Sequence, residues 1–214
     1  TVYPIVQLWG FDSGEYRVPG EDEISDVLGA VGYEKIFVDD TSVGLDENAG
    51  IDLGGIVKGY LGDRLGELLT ENGVQSAVLS LGGNVVLIGD KPDGSLWTVA
   101  VKSPFSDSDY SCELSLEGGV SVVTSGAYER SFTEDGVTYH HIIDPETGYP
   151  ADSDLASVTV IGADGALCDA FSTALFVMGK EKALTFLNEH EDLDYVLVMK
   201  DGEILMSDGL ENLT

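Results

Sequence analysis

Asp169 and Thr173 stand four residues apart in the run Cys168-Asp169-Ala170-Phe171-Ser172-Thr173-Ala174. On a helix, residues at i and i+4 lie one above the other on the same face. The neighbours here are small or apolar, and a carboxylate in such surroundings is costly to bury without a cation or hydrogen-bond donors. Two arrangements meet that need. The aspartate can cap free backbone N–H groups in a helix's first turn. Alternatively, carboxylate and hydroxyl form half of an oxygen shell for a hard divalent cation, completed by phosphates and water.

A second run, Asp52-Leu53-Gly54-Gly55-Ile56-Val57-Lys58-Gly59-Tyr60, takes a strand into a glycine pair and then into a helix. Glycines let backbone approach a ligand closely, and a helix start presents N–H groups to an anion. Lys58 falls in the first turn, where its charge opposes the helix dipole. An anionic ligand explains a lysine there better than helix stability does; the alternative is a plain strand–turn–helix with a surface lysine. The run is neither a Walker loop nor a G-x-G-x-x-G fingerprint. Ser80-Leu81-Gly82-Gly83-Asn84 is a tight turn, or a backbone turn laid against a ligand.

Two of the three histidines occur together in Tyr139-His140-His141-Ile142-Ile143-Asp144-Pro145-Glu146-Thr147-Gly148-Tyr149-Pro150, after Thr124-Ser125-Gly126-Ala127-Tyr128. If Tyr139 to Ile143 is a strand, alternation puts His141 and Ile143 on one face and His140 and Ile142 on the other. One imidazole then meets the core or a cleft. It is either a satisfied structural group or a general base titrating near neutrality. Asp144-Pro145 and Thr147-Gly148 are turn signals.

Composition narrows the chemistry. The 214 residues include 39 acidic and 10 basic side chains, a net charge of −29. Such a field repels phosphate backbones and argues against nucleic acid as a partner. A dianionic substrate would need local help from a metal ion, a lysine or backbone N–H groups. The two cysteines, Cys112 and Cys168, form no CxxC pair, which excludes a zinc ribbon or a thioredoxin-type site. Three histidines are too few for a His-rich centre, so a hard cation on oxygen ligands is the expected metal. No stretch approaches the ~20 apolar residues of a membrane helix. The opening residues, Thr1 to Trp9, read as packed structure rather than a signal peptide.

These residues need elements to hold them. Helical spacing predicts helices over Glu21 to Val31, Ile56 to Glu71 (stopped by Gly73), Ala166 to Met178 and Lys180 to Glu189. Strands are expected at Tyr33 to Asp40, Gly50 to Leu53 and Ser76 to Leu81, with Val85 to Gly89 as an extension of the last. Further strands are expected at Leu96 to Lys102, Cys112 to Leu116, Val120 to Thr124, Tyr139 to Ile143 and Leu155 to Ile161. A hairpin, Tyr195 to Lys200 and Glu203 to Met206, closes the chain around Asp201-Gly202. Strands often follow one another with no helix between, which predicts an α+β fold with largely antiparallel sheets and packed helices.

The motifs are weak singly, but together they resemble the ApbE family of FAD:protein FMN transferases. The resemblance rests on the order Leu8-Trp9-Gly10-Phe11, Asp52 to Tyr60, Leu81-Gly82-Gly83-Asn84, Thr124 to Tyr128, His141 to Gly148, and Asp169-Ala170 with Thr173-Ala174, and it spans Thr1 to Met206. It implies that residues 1–214 are an ApbE-like, T-fold-like domain lacking its N-terminal segment. It also implies that Asp169 and Thr173 bind Mg²⁺ through their side chains and Gly55 through its carbonyl. Lys58 would reach the flavin nucleotide, while Leu61 and the Ile143 backbone line the FAD site. His141 matches the family histidine that activates the acceptor hydroxyl; His140 has no such counterpart. Val57 and Leu61 are bulkier than the alanines common in the family, so the pocket floor differs. The implied reaction cleaves FAD, joins FMN through a phosphoester to a Thr or Ser of a redox protein bearing a flavinylation motif, and releases AMP. Alternatives are a Mg²⁺-dependent FAD pyrophosphatase, with water as nucleophile, and a non-catalytic flavin-binding protein. The resemblance further implies an extracytoplasmic location, with a membrane anchor in the full-length form.

Overall fold

The structure, a computed structural model, describes residues 1–210. In chain order its elements are α1 (Tyr3–Leu8), α2 (Glu21–Leu28), β1 (Ile36–Val38), β2 (Val43–Leu45), α3 (Val57–Glu71), β3 (Ala77–Leu81), β4 (Asn84–Ile88), β5 (Trp97–Lys102) and β6 (Tyr110–Leu116). There follow β7 (Val120–Gly126), β8 (Ser131–Glu134), β9 (Val137–His140), β10 (Leu155–Gly162), α4 (Gly165–Asn188), β11 (Asp194–Met199) and β12 (Ile204–Met206). Every strand pairing is antiparallel among the described residues, as the α+β reading expects. Two compact units form: one from residues 1–53 and 127–152, the other from residues 54–126 and the chain from Ser153 on.

The second unit is built on a six-stranded sheet of order β12-β11-β10-β7-β4-β3. β10 is buried along its whole length, because the sheet is covered on both faces. On one face the β5–β6 hairpin brings Val99, Val101, Cys112 and Leu114 against Val122, Ile161, Val196 and Val198. On the other face α4 packs along β10 and β7, and α3 packs beside α4. Gly179 divides α4: its φ of 75° and ψ of 171° are not helical, as the two predicted helices require. Asp154 Oδ1 accepts the Lys180 N–H at 2.9 Å and so caps the second segment.

The first unit holds an aromatic core of Trp9, Phe11, Phe132, Tyr139 and Tyr149 around Ile5, Ile24 and Ile143. Trp9 is wholly buried, and its indole Nε1 donates to the Gly148 carbonyl at 2.9 Å. The opening segment is thus packed, as expected, through a short helix begun by Pro4 near its N-terminus. In α2, Glu21, Asp22 and Glu23 occupy the positive end of the helix dipole. Glu23 also accepts the Gly20 N–H at 2.8 Å and pairs with both guanidinium nitrogens of Arg17 at 2.9 and 2.8 Å.

Several boundaries differ from expectation. Val85 to Gly89 does not extend the preceding strand. Gly82 and Gly83, with φ of 57° and 99°, turn the chain back so that β4 pairs with β3. Tyr33 to Asp40 begins as a 3-10 turn, and only Ile36–Val38 is strand, paired with an unpredicted β2. Gly50 to Leu53 is irregular. The unpredicted β8 pairs with β9, which ends at His140. No helix among the described residues is long and apolar enough to cross a membrane.

Candidate metal and nucleotide site

α3 buries Gly59 and Gly62 rather than a full apolar stripe. Glycines cost helix stability, about 1 kcal/mol each relative to alanine, so their presence signals close packing. A Cβ at Gly59 would stand 2.0 Å from the Gly165 carbonyl oxygen. The N-terminal turns of α3 and α4 therefore meet backbone to backbone. Two aspartates fasten them. Asp63 of α3 accepts the Gly165 and Ala166 N–H groups of α4 at 2.9 and 3.1 Å. Asp169 of α4 accepts the Gly59 N–H of α3 at 2.9 Å through Oδ2. The cap of α4's own third N–H, that of Leu167, is Asp164, at 2.9 Å. Each helix thus satisfies part of the other's free N-terminal donors.

Sequence left Asp169 as either a cap or a cation ligand. Its carboxylate caps α3 rather than its own helix, and it uses one oxygen to do so. That oxygen is Oδ2, and Asp169 is only 3% exposed. Thr173 lies one turn further along, and the Cβ position of Gly55 is 3.9 Å from Thr173 Oγ1. The structure therefore brings Asp169, Thr173 and Gly55 together. One carboxylate, one hydroxyl and a neighbouring glycine segment suit a hard cation with oxygen ligands. No group of three or more His, Cys, Asp or Glu side chains among the described residues makes a softer or fully carboxylate cage. In the neighbouring Cys168, burial, then the carboxylates of Asp164, Asp63 and Asp169, push the thiol up to about 12.

Lys58 sits one residue before Gly59. Among the described residues the ion pairs take Arg17, Lys35, Arg64, Lys102 and Lys180. Lys58 joins none of them, despite the excess of carboxylates, and donates to Asn84 Oδ1 at 3.2 Å. A cation held by a neutral amide keeps its charge available for an anion. Around it Ile56, Val57, Tyr60 and Leu61 are exposed, an apolar surface beside a cation. Leu61 is thus placed at the surface of α3, one turn beyond Lys58.

His141 and Ile143 belong to the other unit. The alternation argument for their shared face does not hold, because β9 stops at His140 and His141 begins the following turn. His141 is fixed instead by the Arg130 carbonyl, which accepts its backbone N–H at 3.1 Å and its ring Nδ1–H at 3.2 Å. That tautomer puts the basic lone pair of the neutral ring on Nε2. Ile143 is buried, and its backbone bridges Pro150 across the turn. Within that turn Asp144 Oδ1 accepts the Glu146 N–H at 2.8 Å, so the turn signals read from sequence hold.

Sequence reasoning missed three contributors. Asp63 falls in the α3 pattern as an ordinary polar residue. In the sequence Asn84 reads only as the end of a turn, and Ser125 only as part of a motif. Ser125 Oγ lies 2.8 Å from Ser172 Oγ and 3.0 Å from Thr173 Oγ1.

The ApbE family model matches residues 1–197. The chain belongs to the ApbE family. This ApbE chain is 39% identical over 210 residues to the FAD:protein FMN transferase of Klebsiella pneumoniae (strain 342), covering 97% of this chain and 65% of that protein. It is 35% identical to the FAD:protein FMN transferase of Treponema pallidum (strain Nichols), covering 96% of this chain and 61% of that protein. Among solved structures, the ApbE protein of Thermotoga maritima superposes with a TM-score of 0.89 at 39% identity, covering 97% of this chain and 69% of the other. Apo flavinyl transferase ApbE of Pseudomonas stutzeri does so with a TM-score of 0.83 at 32% identity, covering 97% and 66%. The ApbE chain described here thus spans 65% and 61% of the lengths of those two curated relatives.

Proposed function

We propose that this ApbE chain carries the catalytic machinery of a Mg²⁺-dependent FAD:protein FMN transferase. The observation that carries the reading is the proximity of Gly55 to the Thr173 hydroxyl, one turn from buried Asp169, where two helix N-termini meet. Relatives named FAD:protein FMN transferase support the choice of substrate. Asp169 and Thr173 would hold Mg²⁺ through their side chains and Gly55 through its carbonyl. Bound there, Mg²⁺ would neutralise pyrophosphate charge that the acidic protein itself repels.

The chain's own residues supply positioning. Lys58 offers an ammonium to the flavin nucleotide beside the exposed Leu61, and the family resemblance adds the Ile143 backbone to the FAD contacts. The acceptor hydroxyl oxygen attacks the phosphorus on the riboflavin side. The bond from that phosphorus to the bridging oxygen breaks, AMP leaves, and FMN stays on the acceptor as a phosphoester. His141 Nε2 takes the proton of the hydroxyl. The acceptor is a redox protein carrying a short flavinylation motif that ends in Thr or Ser. We also assign the protein an extracytoplasmic, membrane-associated location, a reading that rests on the family alone.

The experiment combines the protein with FAD, Mg²⁺ and an acceptor domain bearing that motif. Mass spectrometry follows the acceptor, and chromatography follows FAD, FMN and AMP. FMN mass on the acceptor with matching AMP is the expected result. Free FMN and AMP with an unmodified acceptor would replace the transferase reading with a pyrophosphatase. FAD bound without cleavage, with or without EDTA, would replace it with a flavin carrier.

A further inference from the structure

Three hydroxyls and one carbonyl next to Asp169 form a chain whose proton order can be worked out. Ser172 Oγ lies 2.9 Å from the Asp169 carbonyl oxygen, and a carbonyl only accepts, so the single Ser172 proton is used there. Ser125 Oγ is 2.8 Å from Ser172 Oγ. With the Ser172 proton already committed, Ser125 must be the donor in that pair. Ser125 is also 3.0 Å from Thr173 Oγ1, and its one proton is spent, so Thr173 must donate to Ser125. The order is therefore Thr173 O–H to Ser125, Ser125 O–H to Ser172, and Ser172 O–H to the Asp169 carbonyl.

The fold holds this order in place. Ser172 is wholly buried. Ser125 lies on β7, where it pairs in register with Val158 of β10, and its hydroxyl meets α4. The sheet and the helix thus fix both ends of the relay, and water has no access to Ser172 to substitute for a missing partner.

We propose that Ser125 and Ser172 are positioning residues that fix the polarity of the Thr173 hydroxyl, turning its proton away from the cation and its lone pairs toward it. The assignment rests on the metal reading above. A hydroxyl serves a cation only through oxygen lone pairs, so a proton pointed at the metal weakens the contact. Ser172 acts here through Ser125. Without Ser172, Thr173 is the remaining side-chain partner of Ser125 Oγ among the described residues. Thr173 then accepts from Ser125, and its own proton is displaced toward the metal position.

The test titrates Mn²⁺ alone into the full chain and reads the loss of the free-ion electron paramagnetic resonance signal. Ser125→Ala and Ser172→Ala are each expected to weaken Mn²⁺ binding about 10-fold or more, the range for groups that orient metal ligands. Ser125→Thr keeps a hydroxyl and is expected to restore most of the affinity. The double variant should bind as Ser125→Ala does, because Ser172 has no influence once Ser125 is gone. Ser157→Ala serves as a buried-serine control, since Ser157 Oγ has no hydrogen-bond partner among the described residues, and should bind as wild type. Wild-type affinity in Ser172→Ala, or additive losses in the double variant, would overturn the relay while leaving the metal reading intact. A wild-type chain that takes up no Mn²⁺ would overturn the metal reading and the relay together.

Discussion

Asp169 reaches back 110 residues along the chain to accept the N–H of Gly59 at 2.9 Å, while Asp63, four residues beyond Gly59, accepts the N–H of Gly165 at 2.9 Å. The exchange binds the starts of α3 and α4 at the point where the chain has no side chain to keep them apart. Removing Asp63 leaves two N–H groups of α4 without their acceptor, and the loss of a helix cap costs about 1–2 kcal/mol. Asp63→Ala should lower unfolding stability by about 2 kcal/mol in urea denaturation. Asp63→Asn keeps one acceptor oxygen and should lose less. Gly59→Ala forces a methyl group into the Gly165 carbonyl and should cost about 2–3 kcal/mol, at the upper end for overpacking. A Gly59→Ala variant as stable as wild type would refute the close approach.

The metal assignment separates from this structural role through two substitutions. Asp169→Asn is isosteric and keeps an oxygen to accept the Gly59 N–H, yet it removes the charge a cation needs. It should retain most of the stability and lose metal-dependent FAD cleavage. Asp169→Ala should lose both, with a stability cost of about 1–3 kcal/mol for the unsatisfied donor. Chromatography of FAD cleavage products and urea unfolding, run on the same preparations, distinguish the two effects. Full cleavage activity in Asp169→Asn would remove this residue from the metal shell.

The two adjacent histidines should behave differently. His141 donates its Nδ1–H to the Arg130 carbonyl, which leaves Nε2 as the basic position of the neutral ring. His141→Ala should abolish FMN transfer to an acceptor while FAD still binds, as measured by flavin fluorescence. His140→Ala, in which the last residue of β9 changes, should transfer FMN at close to the wild-type rate. Equal losses from both substitutions would remove the base assignment.

Much of this site was legible because its pieces are local. Asp169 and Thr173 announce themselves by helical spacing, and the glycine pair before α3 by turn chemistry. Gly179 was readable as the break between two helical patterns. What escaped was set by pairing at a distance. Ser125 meets Ser172 across 47 residues, and only the register of β7 against β10 and the seating of α4 bring them together. Asp63 is an ordinary exposed-looking polar residue until α4 is placed against it. The strand expected over Tyr139 to Ile143 lies instead at Val137–His140, because β9 is fixed by its hairpin partner β8, whose Ser131–Glu134 sequence has no clear apolar alternation.

The first unit carries a pH dependence of its own at Glu23. The side-chain hydrogen bond from Arg17, followed by the Gly20 N–H, lowers the Glu23 carboxyl from its usual 4.5 to about 2. Between those values the unfolded chain takes up a proton that the folded chain refuses, so unfolding is favoured as pH falls. The contribution is therefore complete above about 4.5 and is lost as pH drops through about 2. The pair is solvent-exposed, so salt should shrink the effect. A carbon-13 titration of the side-chain carboxyl should place the Glu23 midpoint near 2 in the wild type. In Arg17→Ala the midpoint should rise toward 4.5 yet stay below it, because the Gly20 N–H still donates. Glu23→Gln should flatten the acid limb of the stability curve over the same interval. A wild-type midpoint at 4.5 would show that the bidentate pair with Arg17 does not persist in solution.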